Sequence, residues 1–143
     1  MNAALDAASA VVAGEIGRTD GKASLLLAFN GAVLAGLASL ADRHLPAVTK
    51  VFGGLAVLAL GVAAVLLLLV VRPRLRGDDR ASFPHWARLE AAEIRACMVQ
   101  DTRAARVRTL SVLALAKYRQ LRHAVDCTLA ALAVLAVAAL GLL

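Results

Sequence analysis

Residues 51–71 read VFGGLAVLALGVAAVLLLLVV, 21 positions without a charge or a hydroxyl. At about 1.5 Å rise per residue, such a helix is long enough for a hydrocarbon core of about 30 Å. No water-soluble element of this length needs so uniform a surface. The stretch ends abruptly at Arg72-Pro73-Arg74-Leu75-Arg76. Working outward, two further blocks repeat the pattern. Residues 23–41 carry no charge over 19 positions, and residues 127–143 carry none over 17. The last is at the lower limit for crossing a bilayer. It is expected either to span the membrane or to lie on its surface.

These three blocks predict an all-α integral membrane protein. Transmembrane helices are assigned to 23–41, 51–71 and 127–143, and a basic helical segment to 72–123. The composition agrees. Of 143 residues, 61% are hydrophobic, against about 45–50% in soluble domains. Aromatics make up 3%, which argues against a β-rich fold and against base stacking on nucleic acid. A single membrane domain is expected across residues 1–143. The first 22 residues show no cationic start followed by an apolar core. The first span is therefore expected to stay in the mature chain.

Residues 3–16 have apolar positions Leu5, Ala8, Val12 and Ile16 at helical spacing, predicting a short amphipathic helix. Arg18-Thr19-Asp20-Gly21-Lys22 reads as a charged break, with Thr19 or Asp20 capping the next helix. Residues 42–50 form a short loop between the first two spans, in which Pro46 breaks any helix. Further on, Val107, Leu110, Ala114, Tyr118, Leu121 and Val125 form an apolar stripe. No Pro or Gly lies between Trp86 and Leu140, so this helix is expected to enter the third span unbroken.

The net charge is +6. Twelve of the sixteen Lys and Arg lie between residues 72 and 123, whereas the 42–50 loop holds only Arg43 and Lys50. Cytoplasmic loops are enriched in basic residues. The expected topology has the N-terminus and residues 72–123 in the cytoplasm. Since the basic residues flank apolar spans, the bilayer is the expected partner, and no nucleic-acid polymer is.

No metal-binding spacing, glycine-rich phosphate loop or nucleophile elbow occurs, and no cofactor or catalytic role is expected. Cys97 and Cys127 suggest no disulfide framework. Asn30 is the one amide within a span, and a polar group in hydrocarbon needs a partner. It either makes an interhelical hydrogen bond or lines a pore in an oligomer. Ala28, Ala32 and Gly36 form a smooth stripe suited to close helix packing. Arg88, Arg95, Arg103, Arg106 and Arg108 either face solvent and anionic headgroups or clamp a phosphate.

Arg18-Thr19-Asp20-Gly21-Lys22-Ala23-Ser24-Leu25-Leu26 followed by Asn30-Gly31 resembles the first-span element of the transmembrane effectors of the Pycsar anti-phage system. Arg72-Pro73-Arg74-Leu75 is similar to that family's exit from the second span. Asp101, Leu110-Ser111, Lys117-Tyr118 and Leu121 are similar to the helix before its last hydrophobic segment. The resemblance implies an effector of the bacterial inner membrane. In the family, a pyrimidine cyclase makes cyclic CMP or cyclic UMP upon phage infection, and the membrane loses its integrity or potential. Arg95, Arg103 and Arg106, on their guanidinium chemistry, and Lys117 and Tyr118, on that resemblance, are candidate ligand contacts. Asp20, Lys22, Asn30 and Asp101 are candidate structural or gating residues, in a homo-oligomer. Asp20 and Lys22 read equally as a helix cap and an interfacial anchor. The alternative from another class is a non-conducting adaptor whose basic helices bind a protein or anionic lipid.

Overall fold

The computed structural model describes residues 2–72, 87–98 and 102–140. Among them the chain is all-helical: α1 (Asn2–Ala38), α2 (Ala47–Val71), α3 (Ala91–Met98) and α4 (Arg103–Leu140). Three helices, α1, α2 and α4, are long and apolar enough to cross a membrane. The most apolar, α2, contains an 18-residue stretch of mean hydropathy 3.0.

The helix ends follow local chemistry. After Ala38 the chain tightens into turns, with Leu40 N–H bonding Leu37 O and Ala41 N–H bonding Ala38 O. Pro46 then caps α2, its carbonyl accepting from Lys50 N–H at 3.1 Å. Proline has no N–H to lose at this position. At α3, the Glu90 carbonyl accepts from Ile94 N–H. The Glu93 carboxylate reaches back to Glu90 N–H at 2.9 Å, half of a capping box. Thr102 starts α4 through its carbonyl, which accepts from Arg106 N–H at 2.9 Å.

Three sequence expectations need correction. The charged break at 18–22 does not exist, because α1 runs unbroken from Asn2 to Ala38. Thr19 and Asp20 are mid-helix residues, not caps. Gly17 and Gly21 each cost about 1 kcal/mol relative to Ala, too little to end a helix with favourable turns on both sides. The basic segment expected to be helical over 72–123 is also interrupted, since Thr102 lies outside any helix. Finally, the apolar stripe on α4 is not quite the buried one. Lys117 is 8% exposed whereas Tyr118 is 37% exposed. Both residues make interactions within the fold, and spacing along one helix does not contain them. The expected entry of α4 into the third span without a break is observed: the helix is continuous over 38 residues. Of the basic segment, residues 73–86 and 99–101 lie outside the described residues.

The chain divides into two compact units. One comprises residues 1–18 and 72–117. It contains the Asp6–Arg103 ion pair at 3.4 Å, with both side chains substantially exposed. The other comprises residues 19–71 and 118–143 and holds the membrane-spanning core. There, Ala23, Leu67, Val70, Leu121 and Ala124 form a buried cluster, with Leu26, Leu27, Leu66 and Val125 packed against it. Advancing along α1 from Ala23 to Asn30 matches advancing along α4 from Leu121 to Thr128, so these helices are parallel. The start of α2 meets the end of α1, so α2 is antiparallel to both.

In this second unit the seam of α4 is built from Leu121, Ala124, Thr128, Ala131 and Ala138, spaced by threes, fours and one seven. On α2 it comprises Ala56, Leu60, Ala63, Leu67 and Val70. This 3.5-residue period is that of left-handed helix packing. Alanines let the backbones approach closely, which drives association where lipid removes the hydrophobic contribution. The outer surface is correspondingly apolar: Leu58 is 68% exposed, Val51 63% and Val62 53%. The interior holds Asn30 and Thr128 while the exterior shows Leu and Val. Such a distribution is stable in hydrocarbon and aggregates in water.

Candidate functional site

The polar centre of the spanning unit is a pair of side chains far apart in sequence. Asn30 is fully buried and Thr128 is 5% exposed. Asn30 Nδ2 lies 3.1 Å from Thr128 Oγ1. Thr128 Oγ1 lies 2.9 Å from the Ala124 carbonyl and 3.3 Å from Asn30 Oδ1. A hydroxyl has one proton to give. The shorter contact takes it, so the chain of donors runs from the Asn30 amide to the Thr128 hydroxyl to the Ala124 carbonyl. Successive bonds of this kind polarise one another in a low-dielectric interior.

Of the two readings of Asn30, the interhelical hydrogen bond has a partner within this chain. Its side chain makes an interhelical hydrogen bond within one chain, and its amide faces the core. Thr128 was visible in the sequence as the one hydroxyl of the last span. Its partnership with Asn30, 98 residues away, was not, because it depends on the register between α1 and α4.

The other expected residues are distributed along α1, α3 and α4. Asp20 is half-buried on α1, and its carbonyl accepts from the Ser24 hydroxyl at 3.0 Å. Lys22 is exposed on the same helix. Arg95 is exposed on α3, and Arg106 and Arg108 are exposed on α4. Arg88 is exposed just before α3. Arg103 begins α4 beside Asp6. Lys117 lies on the buried face of α4 and Tyr118 on its exposed side. Asp101 lies outside the described residues. Thr19, 1% exposed, is a buried polar residue that its position in the supposed break concealed. Among the described residues, no three His, Cys, Asp or Glu side chains group to hold a metal ion.

Three long apolar helices around a small polar centre define a multi-pass helical membrane protein. The chain belongs to the Pycsar effector family: the model of the Pycsar effector protein domain, PycTM, matches residues 4–143. It is thus a transmembrane effector of anti-phage defence, in a family not known for enzymes. No curated protein and no solved structure matches the chain.

Proposed function

We propose that this effector collapses the potential of the bacterial inner membrane when a cyclic pyrimidine nucleotide, cyclic UMP or cyclic CMP, engages its cytoplasmic basic helices. Membership of the family supports the trigger and the outcome. The observation that carries the mechanism is the continuity of α4, which runs from Arg103 to Leu140 without interruption. One continuous helix thus bears Arg103, Arg106, Lys117 and Tyr118 in its first half and Thr128 further along. With Arg95 on α3, these residues are the proposed ligand contacts. Guanidinium groups match phosphate oxygens bidentately, and a tyrosine offers a face for a base. In this topology the N-terminus and the basic segment are cytoplasmic, as basic-residue bias favours.

The resting chain hides its polar centre. The Asn30 amide donates to Thr128 inside, and the lipid-facing surface is apolar. Conduction therefore needs rearrangement among several copies. Ala28, Ala32 and Gly36 of α1 are all exposed, leaving a small-residue face on which a second copy can pack. Turning or sliding α4 would part Thr128 from Asn30 and free the amide to face neighbouring copies. Asp20 and Lys22, further back on α1, together with Asp101, would bias the resting state.

Isothermal titration of the purified full chain in detergent against cyclic UMP, cyclic CMP, cyclic AMP and cyclic GMP tests the trigger. Saturable heat with a pyrimidine nucleotide alone is expected. Silence across the panel contradicts it. A potential-sensitive dye in cells separates an effector, which depolarises them during infection, from an adaptor, which does not.

A further inference from the structure

At the loop end of the spanning unit, α1, α2 and α4 splay around a cavity of about 570 Å³. Its size falls within the usual range for ligand sites, about 300–1,000 Å³. The walls are apolar, among them Leu37, Leu45, Gly53, Val57, Leu135 and Ala138. Two glycines, Gly53 and Gly54, line it. A Cβ built on Gly53 or Gly54 meets nothing within 4 Å. An apolar hollow beside hydrocarbon forfeits dispersion contacts unless a chain fills it.

Two polar groups mark one wall. Thr49 lines the cavity and is 7% exposed, yet its Oγ1 has no hydrogen-bond partner. Most buried hydroxyls are paired, so an orphan hydroxyl closed off behind the cavity wall marks a donor that a side-chain rotation would bring to a ligand. Lys50 lines the same cavity, exposed and without an ion-pair partner among the described residues. Both lie in the first turn of α2, next to the 39–46 loop. That is headgroup depth for a helix whose apolar run begins at Val51. An acceptor bearing negative charge, attached to a long apolar tail, satisfies the hydroxyl, the ammonium and the walls together.

We propose that this cavity is a specific site for one anionic phospholipid. One acyl chain fills the hollow, and a phosphate oxygen accepts from the Thr49 hydroxyl and from Lys50 Nζ. The side chain of Thr49 turns toward the headgroup on binding. The bound lipid bridges all three spanning helices at the end away from Ala23. This site rests on the membrane reading and is independent of the nucleotide trigger.

The test is native mass spectrometry of the full chain released from detergent micelles doped with phosphatidylglycerol or with phosphatidylcholine of identical acyl chains. One phosphatidylglycerol per chain is expected, retained about fivefold over phosphatidylcholine, the ratio one basic residue near the headgroups supplies. Lys50→Gln removes the preference and leaves a residual tail-bound lipid. Thr49→Val weakens retention of phosphatidylglycerol. Gly53→Leu, which fills the hollow, abolishes retention of both lipids, with circular dichroism verifying that helicity is kept. Equal retention of the two lipids, full retention by Gly53→Leu, or a second copy of the chain in place of lipid overturns the proposal.

Discussion

Asn30 of α1 and Thr128 of α4 meet inside the spanning unit, the amide nitrogen 3.1 Å from the threonine oxygen. They join the first and last membrane helices of the chain. A double-mutant cycle with Asn30→Ala and Thr128→Ala, read by unfolding in mixed micelles, is expected to give a coupling of about 0.6 kcal/mol and no more than about 1.7 kcal/mol, the range of intramembrane side-chain hydrogen bonds. Thr128→Ser keeps the bond and should stay close to the parent. Strict additivity of the two alanine variants would mean that the pair does not interact.

The surrounding core should respond to truncation less than a water-soluble core does. Leu60 and Leu67 are fully buried, whereas Leu58 is 68% exposed. Lipid is as apolar as leucine, so truncation forfeits packing but little transfer free energy. Leu60→Ala and Leu67→Ala are expected to cost about 1–2 kcal/mol, below the roughly 2–5 kcal/mol of soluble cores. Leu58→Ala is expected to stay within about 0.5 kcal/mol. Comparable losses at positions 58 and 60 in the same micelle titration would contradict this inside-outside assignment.

The exposed small face of α1 predicts a steric effect on assembly. Ala32→Phe adds bulk to an exposed surface. Crosslinking in liposomes should lose its higher bands, while the monomer keeps its helicity and its Asn30–Thr128 contact. An unchanged ladder of crosslinked species would place the contact between copies on another face.

The ion pair at the start of α4 is not a latch. Asp6 and Arg103 lie 3.4 Å apart, with side chains 62% and 42% exposed. Exposed pairs contribute about 0–1 kcal/mol and are screened by salt. Asp6→Asn should therefore shift stability by less than about 0.5 kcal/mol and leave nucleotide binding intact. Arg103→Gln should weaken nucleotide binding by titration calorimetry. Equal loss in both variants would assign the effect to the ion pair and not to a ligand contact.

The three spans were legible in the sequence because uncharged blocks of this length have one stable home. The ion pair and the register were not. Gly17, Gly21 and the charges around them look like a stop, but their helix propensities are weak penalties, and α1 carries through. Tyr118 looks like the core residue beside Lys117, yet the lysine is the buried one. Both make interactions set by the tertiary arrangement, which periodicity along one helix does not contain. Within the spans, apolar exposure to lipid is free, so packing of small residues decides the face. The need of Asn30 for a partner was evident from its chemistry. Identifying Thr128 required knowing that α1 and α4 run parallel with an offset of 98 residues.

The most direct measurement is potassium flux from proteoliposomes holding the purified full chain, with cyclic UMP or cyclic CMP added outside. With the cytoplasmic face outward, the nucleotide should dissipate a preset potential within the assay, cyclic AMP should not, and protein-free vesicles should stay polarised. A potential that persists with both pyrimidine nucleotides, in vesicles where proteolysis confirms that orientation, would contradict a nucleotide-triggered membrane leak.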